Sequence, residues 1–211
     1  MNDKCWTRNE GAKKTSADRE NRMIPETVVW VAVALFPVSE IALSVFKRSK
    51  TAAGESQDKG SMRRIWIAVT LGVVAAIAVQ RVPITRLNWP DRIVRPTALA
   101  LLLAGLAIRW WAIITLGRYF TTDVATQQQQ PVVRTGPYRF VRHPSYSGAL
   151  IAFLGIGVFM SDWLSLVVLL VPITLAMFNR IKIEEKALLA ALGAPYADYC
   201  TRTKRLIPGI L

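Results

Sequence analysis

Four ionisable residues stand within or at the ends of strongly apolar stretches, where they could do chemistry: Glu40, Arg109, Arg180 and Glu184. A guanidinium at the centre of a bilayer costs at least about 2.5 kcal/mol, so Arg109 requires a partner or a water-filled cavity. The alternative is that Arg109 lies close enough to the membrane surface for its head group to reach water. Glu40 raises the same question, and we interpret it as a structural or interfacial residue.

Arg180 and Glu184 are four residues apart, a spacing that places both side chains on one face of a helix. They form either an ordinary helix ion pair or a ligand-binding pair, in which Glu184 meets a cation and Arg180 an anion. Glu185 points about 100° away on the same helix, so we expect it to be a surface or supporting residue. The spacing alone leaves both interpretations of the pair open.

The segment 131–148, PVVRTGPYRFVRHPSYSG, combines three prolines and two glycines with scattered valine, tyrosine and phenylalanine. The dipeptide Gly136-Pro137 and the proline after His143 are turn signals, and residues before proline avoid the helical region. The next helix is expected to begin near 145–147, with a serine as its N-cap. This composition predicts an irregular segment that packs against protein, whereas the glutamine run before it is typical of a solvated linker.

These residues belong to a chain of 211 residues, of which 52% are hydrophobic. The apolar residues cluster in five nearly uncharged segments, at 24–46, 65–79, 97–116, 149–160 and 163–178. A helix of about 20 residues crosses a bilayer core, so the segments predict an all-α integral membrane protein with about five transmembrane helices. The last two segments are short and nearly contiguous, which predicts a helical hairpin with a tight turn at Ser161 and Asp162.

The predicted organisation is a polar N-terminal tail at 1–22, three transmembrane helices within 23–116, and a C-terminal catalytic region at 117–211. Pro96 suits the first turn of the third helix, and Gly117 suits its C-cap. After the hairpin, residues 179–192 are expected to continue as a helix that leaves the membrane and stops at Gly193. Residues 196–204 can form one more short helix.

The chain carries a net charge of +13, and its basic residues are concentrated between the apolar segments. This distribution is the usual orientation bias of a membrane protein, so we do not interpret the charge as a nucleic-acid-binding surface. The loop 47–64 and the tail from Arg180 are expected in the cytoplasm, although the basic loop 80–96 disagrees.

A single histidine excludes a histidine-rich metal site. Cys5 and Cys200 fall on opposite predicted sides of the membrane, which argues against a disulfide.

Two groups of residues carry a resemblance to a known family. The run GPYRFVRHPSYSG at 136–148 resembles the G-x-Y-x-x-x-R-H-P-x-Y-x-G signature of isoprenylcysteine carboxyl methyltransferases and related membrane phospholipid methyltransferases. The downstream residues that resemble the same family's R-x-x-x-E-E…G-x-x-Y-x-x-Y pattern are Arg180, Glu184, Glu185, Gly193, Tyr196 and Tyr199. One helical hairpin separates the two groups, and together they cover about half of the chain.

The resemblance implies a membrane core of five helices and a cytoplasmic pocket for S-adenosylmethionine, formed by the irregular loop and the C-terminal helices. It implies that Arg180 and Arg109 face the methyl acceptor. The cofactor-binding residues that it implies are Gln130, Pro131, Val132, Val133, Tyr138, His143, Pro144, Ser145, Tyr146 and Glu184, with Gln127 as a further candidate.

The activity that the resemblance implies is methyl transfer to a lipophilic acceptor, by default the carboxylate of an isoprenylcysteine-like substrate. A carboxylate needs no general base, whereas an amine does, and the sequence offers no obvious base. Methylation of a phospholipid amine is the alternative; an intramembrane NADPH-dependent reductase of the sterol type and a non-catalytic membrane protein are more distant ones.

The expected location is the plasma membrane of a prokaryote, as a multi-pass protein whose site faces the cytoplasm. The expected partners are the bilayer and a lipophilic substrate, and the oligomeric state stays open.

Overall fold

The computed structural model describes residues 24–46, 60–120 and 130–209 of the chain. Within these ranges the α-helices are α1 (Glu26–Phe46), α2 (Ser61–Val79), α3 (Asp91–Leu116), α4 (Pro144–Phe159), α5 (Trp163–Leu192) and α6 (Ala194–Arg202). Short 3-10 helices occur at Pro83–Thr85, Gly117–Tyr119 and Gly136–Arg139. The expectations for the tail at 1–22, for Cys5, for the loop at 47–59 and for Gln127 lie outside the described residues.

Helices α1, α2, α3 and α5 are each long and apolar enough to span a membrane. Helix α4 is an apolar helix of 16 residues, about 24 Å long at 1.5 Å per residue. The described residues form isolated β-bridges but no β-strand. The all-α integral membrane architecture predicted from the apolar segments is therefore confirmed.

Two extensive helix contacts form the frame, α3 against α4 and α2 against α5. Helices α3 and α4 touch backbone to backbone. A Cβ atom added at Gly105 would lie 2.4 Å from the Ala152 nitrogen, and one added at Gly148 would lie 2.6 Å from the Arg109 nitrogen. Small residues allow helices to approach this closely inside a membrane. The contact fixes Arg109 beside the start of α4.

Helices α4 and α5 form the predicted hairpin, which turns at Ser161, with a φ of 49°, and Asp162. The Asp162 carboxylate caps α5 by accepting a hydrogen bond from the Ser165 N–H at 2.7 Å. It accepts another from the Thr85 hydroxyl at 2.5 Å, which joins the hairpin to the connection between α2 and α3. Burial alone would raise the pKa of Asp162, but these hydrogen bonds lower it below its usual range. The turn therefore carries an ionised carboxylate at neutral pH.

The start of α4 differs from the prediction. The helix begins at Pro144 with His143 in the N-cap position, and no side chain caps it, whereas a serine N-cap at 145–147 was expected. Proline suits the first helical position because its fixed φ matches the helix and an N–H there would have no intrahelical partner. The same proline therefore ends the irregular segment and starts the helix.

The start of α3 also differs, since the helix begins at Asp91 and Pro96 lies inside it. The first turn is polar and contains an Asp91–Arg95 ion pair of 2.8 Å, which the apolar pattern did not reveal. The predicted helix ends are confirmed. Gly117 and Gly193 are the C-caps of α3 and α5 and have φ values of 57° and 60°, a region that glycine enters without strain.

Candidate functional site

The proline-broken segment 130–143 packs against the C-terminal part of the chain. The His143 N–H donates to the carbonyl of Arg205 at 3.0 Å. The buried hydroxyl of Tyr199, on α6, donates to the carbonyl of Tyr138 at 2.5 Å. These bonds hold the histidine at the start of α4, and they agree with the prediction of a segment packed on protein.

The acidic part of α5 meets this segment at Glu184. Its Oε1 atom accepts hydrogen bonds from the Tyr146 hydroxyl at 2.5 Å and from Arg180 Nε at 2.9 Å. Its Oε2 atom lies 3.6 Å from His143 Nδ1, which is beyond hydrogen-bonding distance. The structure thus brings predicted site residues from α4 and α5 into one cluster.

Arg180 is only 1% exposed although it carries a charge. Its Nε atom also lies 2.9 Å from the Tyr146 hydroxyl, and its Nη1 atom donates to Ser61 Oγ at 2.8 Å. A guanidinium tolerates such burial when its N–H groups are paired. Ser61 is the first residue of α2, so the N-terminal half of the chain also contributes to this cluster. No local sequence signal marks that serine.

The partner that Arg109 requires is Glu40, on α1. Arg109 Nε and Nη2 donate to the two carboxylate oxygens of Glu40 at 2.5 and 2.6 Å, and the two side chains are 11% and 15% exposed. Arg109 Nη1 donates to the hydroxyl and the carbonyl of Ser145 at 2.8 and 3.2 Å. Glu40 is therefore half of a bidentate pair inside the protein, a contact that joins α1 to α3 and the first turn of α4.

Glu185 is largely enclosed by neighbouring side chains rather than lying open on the surface. Its carboxylate accepts hydrogen bonds from Arg142 Nε at 2.8 Å and from Arg205 Nε at 2.9 Å, and its side chain is 13% exposed. His143 Nε2 lies 3.4 Å away from it without forming a hydrogen bond. Of the two expected positions, surface or supporting, the structure gives the supporting one, because the chain after α6 folds back over this side of α5.

A cavity of about 500 Å³ joins these polar residues to an apolar groove. Pro144 does not line it, since this residue is fully buried in the first turn of α4. The other predicted site residues all line its polar end, namely Gln130, Pro131, Val132, Val133, Tyr138, His143, Ser145, Tyr146, Glu184, Arg180 and Arg109. Residues that the sequence did not assign to the site also line it, among them Glu40, Arg142, Tyr196 and Tyr199.

The apolar groove lies between α1 and α2, and α4 forms its floor. The lining residues are Trp30, Val33, Ala34 and Pro37 from α1, Ile65, Trp66, Val69, Val73 and Ile77 from α2, and Phe153, Ile156 and Phe159 from α4. From Ile65 to Ile77 the helix rises about 18 Å at 1.5 Å per residue. The groove is therefore long and narrow, and its lining side chains carry no charge along that length.

Buried tyrosines surround the polar end. Burial raises the pKa of Tyr199 to about 12, and it also raises the pKa values of Tyr138 and Tyr196, so all three hydroxyls stay protonated at neutral pH. The Tyr196 hydroxyl and His143 Nε2 are buried and have no hydrogen-bonding partner among the described residues. Because buried polar atoms are normally paired, these two mark a cavity that can bind a polar ligand.

The fold and the site define a multi-pass membrane protein whose cavity suits an amphipathic reaction partner. Residues 98–190 match the model of the Isoprenylcysteine carboxyl methyltransferase (ICMT) family. This region is a little under half of the chain, and it contains both the motif around His143 and the Arg180–Glu184 pair. The resemblance drawn from the sequence is thereby confirmed.

Individual relatives agree with this family. Protein-S-isoprenylcysteine O-methyltransferase B of Arabidopsis thaliana is 33% identical over 112 residues, which are 52% of this chain and 57% of the plant protein. Protein-S-isoprenylcysteine O-methyltransferase of Schizosaccharomyces pombe is 24% identical over 189 residues, 83% of this chain and 80% of the yeast protein. A solved structure of the eukaryotic intramembrane Ras methyltransferase ICMT has a TM-score of 0.59 and 25% identity, over 85% of this chain and 64% of that one. The chain spans a little over half the length of the first plant relatives it matches.

Proposed function

We propose that the protein transfers a methyl group from S-adenosylmethionine to the carboxylate of a lipophilic, isoprenylcysteine-like acceptor. The observation that carries this proposal is the continuous cavity in which Arg180 and Glu184 adjoin a long apolar groove. A polar donor and a lipid-bearing acceptor can meet in such a cavity. The names of the family and of its relatives support methyl transfer as the reaction.

The polar end fits S-adenosylmethionine, which supplies a methyl group on a sulfonium and also carries an ammonium, a carboxylate and an adenosine. Glu184 would hold the ammonium, since a charge-assisted hydrogen bond is strong where water is scarce. His143 Nε2 and the Tyr196 hydroxyl are buried polar atoms that lack a hydrogen-bonding partner in the described part of the chain, and they would serve the polar edges of the same ligand. The other residues proposed around it are Gln130, Pro131, Val132, Val133, Tyr138, Ser145 and Tyr146, whereas Pro144 would act only by starting the helix that carries the last two.

Arg180 is the residue proposed to orient the acceptor carboxylate, because a guanidinium can hold a carboxylate with two parallel hydrogen bonds. Arg109 is the second candidate for this role. Its four hydrogen bonds to Glu40 and Ser145 already occupy most of its donors. We assign the carboxylate to Arg180, which adjoins Glu184 and with it the proposed cofactor, and a shaping role to Arg109.

The pairing of charges in the cavity favours a carboxylate acceptor over an amine. An amine must lose a proton during methylation, and the carboxylates that line the cavity are Glu40 and Glu184. Each of them is already paired with an arginine, Glu40 with Arg109 and Glu184 with Arg180. A carboxylate acceptor needs no base, and the opposite charges that disappear on methyl transfer make a pocket of low polarity favourable.

The apolar groove is proposed to bind the lipid part of the acceptor. Such a substrate partitions into the bilayer and would reach the cavity from the side, between α1 and α2. The polar cofactor would enter from the cytoplasm, because the basic residues after α5 are of the kind that stay on that side of a membrane. In a prokaryotic cell this corresponds to the plasma membrane.

The proposal is tested with the full chain purified in detergent. Binding of S-adenosylhomocysteine is measured by calorimetry, and labelled methyl transfer is measured with N-acetyl-S-farnesylcysteine as acceptor. The wild type is expected to bind and to form a labelled ester. Saturable NADPH binding without S-adenosylhomocysteine binding would favour a reductase, and label in phospholipid alone would favour an amine methyltransferase.

Glu184→Gln is the first variant, with Glu26→Gln as its matched control. Loss of the Glu184 charge is expected to weaken S-adenosylhomocysteine binding by at least about tenfold, since a charge-assisted hydrogen bond to the ammonium is lost. Glu26 lies exposed on α1 and accepts a hydrogen bond from Trp30, so its variant should bind as the wild type does. Equal affinities in the two variants would contradict the assignment of Glu184.

A further inference from the structure

Helix α1 buries one narrow stripe, which faces α3 and α4. Val29, Ala32, Phe36 and Leu43 form it, and Glu40 occupies the position that the spacing of three and four residues leaves between the last two. A hydrophobic side chain is expected at this position in a membrane helix. The carboxylate there needs a reason beyond packing.

The polar contact of Glu40 reaches across the cavity. Both of its carboxylate oxygens bind Arg109, and the same guanidinium binds the hydroxyl and carbonyl of Ser145, directly before Tyr146. A single chain of hydrogen bonds therefore runs from α1 through α3 to the first turn of α4. We call the Glu40–Arg109 pair the α1 latch.

Helix α1 has a weak point one turn before the latch. Pro37 lies inside the helix, where it removes one backbone hydrogen bond and favours a bend. Trp30, Val33, Ala34, Pro37 and Glu40 all line the cavity, so this side of α1 is a wall of the apolar groove. Among the contacts that the described residues make, the latch is the polar one that ties this part of α1 to α3, and the wall near the site otherwise rests on side-chain packing.

We infer that Glu40 is a positioning residue for the acceptor, which fixes the α1 wall of the groove through Arg109. This inference rests on the proposed function and adds to it a residue that contacts no reacting atom. Since Arg109 holds Ser145 by separate N–H groups, loss of Glu40 should loosen the groove and leave the cofactor end in place. The latch therefore sets how well the lipid-bearing acceptor binds, and the cofactor binds independently of it.

The test compares Glu40→Gln with Glu26→Gln, which removes the same charge from the same helix at an exposed position. Full-length variants in nanodiscs are assayed with S-adenosylmethionine and N-acetyl-S-farnesylcysteine. For Glu40→Gln we expect the acceptor KM to rise at least about tenfold, whereas kcat and the Kd for S-adenosylhomocysteine change less than about threefold. Glu40→Asp, which keeps the charge, should recover part of the loss, and Glu26→Gln should match the wild type.

If Glu40 had a purely structural role, its loss would lower kcat, raise the acceptor KM and weaken cofactor binding together. An unchanged acceptor KM would overturn the inference. Because Glu40→Gln leaves a buried cation without its partner, the double variant Glu40→Gln/Arg109→Gln is made as well. It should fold as the wild type does and still show the raised acceptor KM; a normal KM in this variant also overturns the inference. Failure of the proposed function is distinct, since the wild type itself would then bind no S-adenosylhomocysteine or transfer no methyl group.

Discussion

Among the described residues, three arginines line the cavity, and each is paired with a glutamate: Arg109 with Glu40, Arg142 with Glu185 and Arg180 with Glu184. The polar end is therefore close to neutral, although the chain as a whole carries a charge of +13. In surroundings of low dielectric constant such pairing is what makes the buried charges tolerable. A charged ligand must consequently exchange with one of these partners, which makes recognition depend on the charges of both donor and acceptor.

Arg180→Lys tests the geometry of this recognition at a single residue. The charge is kept, but the planar group that can hold a carboxylate with two hydrogen bonds is lost. We expect kcat/KM for N-acetyl-S-farnesylcysteine to fall by at least about 100-fold, a loss of transition-state stabilisation of about 2.7 kcal/mol. Labelled methyl transfer at varied acceptor concentration measures it.

Arg202→Lys is the matched control, because Arg202 is exposed on α6 and pairs with Asp198 in the i,i+4 position. Its kcat/KM should equal that of the wild type. The Kd for S-adenosylhomocysteine should change less than about threefold in Arg180→Lys. A cofactor affinity that falls as far as the turnover does would show that Arg180 serves the cofactor and not the acceptor.

The sequence predicts some of these residues and not others for a physical reason. Arg180 and Glu184 share one helix, so their spacing alone places them on one face. Glu40 and Arg109 are 69 positions apart on different helices, and hydropathy shows only that each of them needs a partner. The burial of Glu185 could not be predicted either, since it depends on where the chain after α6 returns.

At the scale of the helices, apolar length predicts where the spans lie, and glycine predicts where α3 and α5 end. The first turns of α3 and α4 were missed because the Asp91–Arg95 ion pair of α3 and the proline that opens α4 start each helix before its apolar stripe begins. The pairing of α3 with α4 is likewise invisible in the apolar pattern. It follows from glycines whose missing side chains leave room for a neighbouring backbone.

Gly148→Ala tests that contact, with Gly72→Ala as its matched control in another membrane helix. A Cβ atom at Gly148 would meet backbone atoms of α3 at 2.6 Å, so α4 must move away from Arg109. We expect the free energy of unfolding to fall by about 2–4 kcal/mol and ligand binding to weaken. A backbone cannot move aside as a side chain can by changing its rotamer, so the clash forces the helices apart.

At Gly72 the added Cβ atom would lie 3.4 Å from its nearest neighbours, the backbone oxygens of Val168 and Leu169 on α5. This distance is close to ordinary contact, and alanine is the better helix former, so Gly72→Ala should be neutral or slightly stabilising. Thermal unfolding in detergent compares the two variants. Similar melting temperatures would mean that the α3–α4 contact yields more easily than its distances indicate.

At the scale of the whole molecule, the long cavity would be reached from two directions under the proposed function. The cofactor would enter at its polar end, and the acceptor would enter its apolar groove from the lipid. The outer faces of the helices carry exposed apolar side chains such as Leu71, Ile114 and Leu175, as expected for surfaces against acyl chains. The groove between α1 and α2 is an inward continuation of that surface. The length of the groove should therefore decide which lipid chains are accepted.

Val73→Trp tests this expectation by narrowing the groove on α2, about 18 Å along the helix from Ser61. Acceptors with a geranylgeranyl chain should show a KM raised by about tenfold or more, whereas acceptors with a geranyl chain should be little affected. Val171→Trp adds the same side chain to an exposed position on α5 outside the cavity and should leave both KM values unchanged. A KM raised equally for short and long chains would place the lipid elsewhere.

The hydroxyl of Ser61 binds a guanidinium that lies 119 positions further along the chain. Both Ser61 and Glu40 precede the stretch at 98–190 by which the family is recognised. Residues 98–190 therefore do not form a unit that can be transferred by itself. A chimera that joined them to the first two membrane helices of another protein would have to place a serine hydroxyl and a carboxylate at the same depths in the membrane. The lipid-facing sides of α1 and α2 can change in sequence without affecting the rest of the fold. Ser61 and Glu40 should instead change only together with the arginines that they contact.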